Sequence, residues 1–106
     1  MGRGVRRAEV WLAQVGRKRR PVLVLTRNEV IDVRELVTVV EVTTIIRGLG
    51  AEVEIDYAKV GLDRPSVVNS DGVHTISQDS LSGPIGEVDE PTMRQVCSAL
   101  SYALGC

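Results

Sequence analysis

Phenylalanine is absent from this chain of 106 residues, and one Trp and two Tyr are its only aromatic side chains. The interior must therefore be filled by Val, Leu and Ile. No apolar run has the length that a membrane helix needs. The charged start, Met1–Arg7, is not followed by an apolar segment of signal-peptide length, so a cytoplasmic location is expected. Two cysteines are too few for a disulfide framework. Cys97 falls on the apolar face of an expected helix. Along a helix, the nine residues from it to Cys106 would span about 13 Å, too far to bridge. With a single His, these cysteines make no zinc set, and neither metal nor cofactor is expected. The chain also lacks a Gly-rich phosphate loop, a nucleophile elbow and an HExxH motif. These absences speak against a nucleotide-dependent enzyme, a serine hydrolase and a metalloprotease.

The charge is present but unevenly spread. The net value is −1, yet residues 1–34 hold nine of the 13 bases and only three of the 14 acids. A polyanion would be drawn to that first third. The plainer alternative is that the two segments neutralise each other in the fold. The length fits a single domain over residues 1–106, with 1–7 as a flexible basic arm. Arg3, Arg6 and Arg7 in that arm would touch phosphates without sequence preference. So small a core would gain from burying a further face in an oligomer.

Short strands dominate the pattern. Glu9–Ala13 reads as a first strand, in which Trp11 serves core or dimer packing rather than base stacking. Gln14–Arg20 reads as a charged loop, Pro21–Thr26 as a buried strand and Arg27–Arg34 as a polar excursion without a period. Leu36–Thr44 is β-branched almost throughout and is the strongest strand signal. Within it Glu41 is expected on a solvated face. Gly48-Leu49-Gly50 marks a turn or bulge, Glu52–Ile55 a half-exposed strand, and Gly61–Pro65 a loop. Ser66–Asn69 and Val73–Ile76 read as two short strands flanking a turn at Asp71-Gly72, and Ile85–Val88 as a last one. The end is helical. Asp89 or Glu90 can cap, Pro91 suits the first turn, Met93, Val96, Cys97, Leu100 and Leu104 recur at helical spacing, and Gly105 ends the run. The architecture expected is mainly β (α+β): a small, curled, antiparallel sheet with a C-terminal helix packed on it.

The basic run Arg17-Lys18-Arg19-Arg20, closed by Pro21, is the most informative local feature. Pro21 holds the backbone of Arg20 extended, so a guanidinium is fixed at the mouth of a buried strand. Its planar fork suits phosphate better than Lys does. The competing interpretation is a solvated turn whose charges guard an aggregation-prone strand.

The order of motifs resembles the MazF/PemK-like toxin family. The stretches that carry the resemblance are Ala8-Glu9-Val10-Trp11, Arg19-Arg20-Pro21-Val22-Leu23-Val24, Val42-Thr43-Thr44, Ser66-Val67-Val68-Asn69, Val73-His74-Thr75 and Ile85-Gly86-Glu87-Val88. The resemblance implies a small SH3-like barrel with a C-terminal helix, a homodimer, and a toxin inhibited by a cognate antitoxin. It implies an endoribonuclease that cuts single-stranded RNA or mRNA at short sequences without a metal, inhibiting translation and growth. It also implies the catalytic pair, Arg20 and Thr43. RNA carries its own nucleophile, the 2′-hydroxyl, so the protein need only align that group and stabilise charge on phosphorus. A guanidinium suits the second task, and a Thr hydroxyl can hold a non-bridging oxygen or the attacking group. Arg17, Lys18, Arg19, Thr44, Asp71 and His74 complete the expected RNA-binding set. His74 stands where many relatives have Arg, and an imidazole, which titrates near neutral pH, can serve as a proton donor; the competing interpretation is a hydrogen-bonded wall residue. The family's usual Gly opposite Ala8 is missing, and the loop before Arg20 is short and lacks the Gly-Ser-Glu segment common in relatives.

A second class of function is a non-catalytic SH3-like toxin that binds and poisons a protein target such as gyrase. A third is an antitoxin-binding homologue made inactive by its short loop. The Arg20/Thr43 pair beside a basic segment separates the first class from the second, since a protein-binding toxin has no need of it.

Overall fold

The computed structural model describes residues 4–105; Arg3 and Cys106 lie outside them. The elements run β1 (Glu9–Val15), β2 (Lys18–Val24), a one-turn helix α1 (Asn28–Ile31), β3 (Leu36–Thr43), β4 (Glu52–Glu54), β5 (Val67–Ser77), β6 (Leu81–Glu87) and helix α2 (Glu90–Leu104). All strand pairs are antiparallel, in the order β4-β5-β3-β2-β1-β6. The fold is mainly β with a C-terminal helix, as the sequence pattern implies.

Side chains alternate between two apolar clusters, one on each face of the sheet. Val10, Leu23, Val40, Val42, Val53 and Val68 belong to the first. Helix α2 closes this cluster with Met93, Val96 and Ala99. Trp11, Val22, Val24, Val37, Val39 and Leu81 belong to the second. Trp11 is buried, and its Nε1–H donates to Glu9 Oε1 at 3.0 Å. With no Phe available, Val fills most of both clusters.

The sheet curls because two glycines let its ends meet. A Cβ at Gly86 of β6 would lie 2.4 Å from the Val60 carbonyl oxygen, and one at Gly61 would lie 2.3 Å from that of Ile85. The segment after β4, one edge strand, thus packs against β6, the other.

Several expectations need correction. The charged stretch 14–20 is not a loop. β1 continues to Val15 and β2 begins at Lys18, joined by a two-residue turn with Gly16 at φ +61°. Residues 66–76 hold one strand, not two. β5 runs through Asp71 and Gly72, which sit in a bulge: Glu41 pairs with Asn69 while Val40 pairs with Val73. The polar excursion contains α1.

The arm is docked over residues 5–7. Val5 is buried in the second cluster, Arg6 pairs with Asp32 at 2.7 Å, and Arg7 donates to the Leu25 carbonyl. Cys97 is exposed and Leu104 is 66% exposed, so the buried stripe of α2 is narrower than the spacing implied.

Candidate active site

Strand alternation assembles the site. Val22 pairs with Glu41, and Glu41 with Asn69. These positions share the sheet face of Val37 and Val39 in the second cluster. Beyond the last β2–β3 pair, Arg20 and Thr43 converge on two adjoining clefts. One, about 280 Å³, is bounded by Lys18, Arg20, Thr43, Thr44, Ile45 and Arg64, among others. The other, about 180 Å³, lies between Arg20, Glu41, Thr43, Arg47, Glu52 and Asn69.

Glu41 is the electrostatic centre. Its Oε2 lies 2.6 Å from His74 Nε2, and its Oε1 lies 3.7 Å from Arg20 Nη1. Its side chain is only 18% exposed. Gly72 makes room for it: a Cβ there would be 3.0 Å from the Glu41 carboxyl carbon. Thr43 Oγ1 accepts from the Ile45 N–H at 3.1 Å, which orients the hydroxyl at the strand end. Below it, the Glu52 carboxylate accepts from the backbone N–H groups of Arg47, Gly48 and Leu49, shaping the loop that walls the second cleft.

The candidate residues divide accordingly. Arg20, Thr43, Thr44 and Lys18 line one cleft, and His74 joins Arg20 through Glu41. Arg17 is exposed in the hairpin turn. Arg19 alternates to the opposite face and donates to Ser82 Oγ at 3.0 Å. Asp71 is exposed at the bulge, where its N–H donates to Asn69 Oδ1 at 3.2 Å. Its carboxylate makes no ion pair among the described residues, and Arg20 faces Glu41 instead.

Glu41 is thus not on a solvated face. The signal was its spacing: it falls in step with Val37 and Val39, both buried. Asn69, although it ends the stretch Ser66–Asn69, and Arg47, which carries no local motif, were missed because only the fold brings them to the second cleft. Among the described residues no group of three His, Cys, Asp or Glu side chains is placed to hold a metal ion.

The chain matches the family model described as the PemK-like, MazF-like toxin of type II toxin–antitoxin systems, over residues 6–104. It is similar to the probable endoribonuclease MazF5 of Mycobacterium tuberculosis, with 38% identity covering 94% of this chain and 93% of that one. It is 34% identical to the probable endoribonuclease MazF2 of the same organism, covering 96% and 100%. Among solved structures it resembles the M. tuberculosis toxin MazF-mt6, with a TM-score of 0.85 and 38% identity over 92% of this chain and 96% of that one. It also resembles a mycobacterial endoribonuclease solved in complex with its cognate antitoxin, with a TM-score of 0.86 and 27% identity over 96% of each chain. The chain belongs to the PemK-like, MazF-like toxin family.

Proposed function

We propose that this member of the family is the toxin of a toxin–antitoxin pair and an endoribonuclease that cleaves single-stranded RNA, mRNA included, without a metal. The observation that carries the proposal is the convergence of Arg20 and Thr43 on one open cleft with Lys18 beside them. The names of the relatives support the reaction class. The scissile phosphate lies against Arg20, whose guanidinium stabilises the charge that develops on phosphorus. Thr43 Oγ1 holds a non-bridging oxygen or the attacking 2′-hydroxyl. Lys18 and the exposed Arg17 draw in the flanking phosphates, which position the strand without reading its sequence.

Attack of the 2′-hydroxyl leaves a 2′,3′-cyclic phosphate and a 5′-hydroxyl. The functional unit is a homodimer, and its inhibitor is a cognate antitoxin; the antitoxin complex of a relative supports such a partner. The test is incubation of the purified protein with a long RNA in chelator, followed by mapping of both ends of the fragments. Discrete cuts with the two termini named above are expected. Loss of cleavage in EDTA, restored by Mg²⁺, would contradict the proposal.

A further inference from the structure

Transesterification of RNA removes one proton from O2′ and delivers one to O5′. Neither Arg20 nor Thr43 suits this work. A guanidinium keeps its protons at physiological pH, and a hydroxyl is a poor acid. The 5′-alkoxide is a poor leaving group, so a proton donor beside it is what the reaction most needs.

His74 is placed for that role. Its Nε2 is held by Glu41 Oε2 at 2.6 Å, whereas its Nδ1 has no hydrogen-bond partner among the described residues. The imidazole is 35% exposed and the carboxylate that holds it 18%. One ring edge is therefore held by a largely enclosed anion, and the other carries no hydrogen bond among the described residues on a side chain that is partly exposed. The same carboxylate faces Arg20 from its second oxygen, so a single side chain sets the separation of guanidinium and imidazole. Glu41 on β3 contacts the ring and Arg20 on β2 faces the same carboxylate; Arg47 and Glu52 line the cleft that Arg20 and Glu41 share, and Asp71 precedes His74 on β5.

We propose that His74 is the general acid of RNA cleavage and that Glu41 is a positioning residue holding both His74 and Arg20. The inference rests on the endoribonuclease assignment above. As the O2′–P bond forms and the P–O5′ bond breaks, the Nδ1 proton of the His74 imidazolium passes to O5′, giving the 5′-hydroxyl. The 2′-hydroxyl proton leaves to water, and neutral His74 regains a proton from water. The overall reaction consumes nothing but the RNA.

The experiment is single-turnover cleavage of an oligonucleotide spanning a mapped site, with oxygen or sulfur at the bridging 5′ position. A thiolate leaves without being protonated. His74→Gln is expected to slow the oxygen substrate by about 10²–10³-fold. The same variant should bind a 2′-deoxy analogue within about threefold of wild type and cleave the sulfur substrate at close to the wild-type rate. Glu41→Gln, which keeps the shape but not the charge, should lower the rate on the oxygen substrate by about tenfold and that on the sulfur substrate by clearly less. In the wild-type protein itself the alkaline limb of the pH–rate profile should vanish when sulfur replaces oxygen, a readout that needs no variant. Full activity of His74→Gln on the oxygen substrate would overturn the proposal. So would an alkaline limb that persists with sulfur. A wild-type protein that cuts no RNA, with or without Mg²⁺, would instead defeat the endoribonuclease assignment, and with it this role for His74.

Discussion

Arg20 Nη1 stands 3.7 Å from Glu41 Oε1, close enough for an ion pair but too far for a hydrogen bond. Arg20 makes no side-chain hydrogen bond among the described residues, so its donor fork is held at the cleft without being consumed. A partly exposed pair of this kind contributes little to stability, and a bidentate phosphate competes with it easily.

That arrangement separates activity from folding. Arg20→Ala is expected to lower the cleavage rate by about 10²–10³-fold, the usual cost of losing one preorganised donor, while the thermal midpoint stays within a few degrees. Thr43→Ala should be similarly impaired, and Thr43→Ser should retain part of the rate because the hydroxyl survives. Rate assays paired with thermal melts decide this. Wild-type cleavage by a well-folded Arg20→Ala protein would remove Arg20 from the mechanism.

The basic hairpin is the natural landing site for an acidic, disordered inhibitor as well as for RNA. Charge reversal at Arg17, Lys18 and Arg19, with Arg20 left in place, should weaken binding of both, and both associations should weaken as salt rises. Lys18→Glu should account for more of the RNA loss than Arg19→Glu. Lys18 lines the cleft with Arg20, whereas Arg19 is engaged with Ser82 on the other face. Titrations of RNA and antitoxin at two salt concentrations provide the measurement. A triple variant that lost RNA but kept antitoxin at full affinity would show that the two sites do not overlap here.

Ala8 occupies the left-handed region at φ +75°. Its N–H donates to the Val24 carbonyl at 3.0 Å, and its carbonyl accepts from the Val88 N–H at 2.9 Å, so it cannot relax without breaking the sheet margin. A left-handed conformation costs a residue with a Cβ roughly 1–2 kcal/mol, of which Gly returns about 0.5–1 kcal/mol through its freer unfolded state. Ala8→Gly is expected to stabilise the protein by up to about 1 kcal/mol, read from urea unfolding at unchanged m. A clear loss of stability would mean that packing of the Ala8 methyl outweighs the strain.

Asp89 caps α2, its Oδ1 accepting from the Thr92 N–H at 2.9 Å. Hydrogen bonds from Thr92, side chain first and backbone second, hold its carboxyl below the ordinary value of 3.8. A depressed folded-state pKa means that this stabilisation is fully present above the ordinary carboxylate range. It is lost as pH falls through that range toward the folded value. Asp89→Asn keeps the capping oxygen but does not titrate. Its melting temperature should match wild type at neutral pH and fall less steeply in acid. Parallel acid limbs for the two proteins would count against this account.

The sequence by itself determined the strands whose apolar runs are long and β-branched, above all Leu36–Thr43, and the whole of α2. Local chemistry suffices there, because Asp89, Pro91 and Gly105 mark the helix ends within the segment they bound. The order of short motifs also determined the family, and singled out Arg20 and Thr43 without any geometry. Only the tertiary structure decided that the basic run lies largely in a strand, that Ser70-Asp71-Gly72 is a bulge rather than a turn, and that Glu41 is enclosed. Each of these depends on a cross-strand partner: Ala13 opposite Arg20 across the hairpin and, distant in sequence, Val73 opposite Val40 and His74 beside Glu41. A charged or turn-prone residue looks like loop when its own neighbours are all that is considered. Pairing supplies the backbone hydrogen bonds and the counter-charge that hold it in a strand, and register then decides which face, and which partner, its side chain meets.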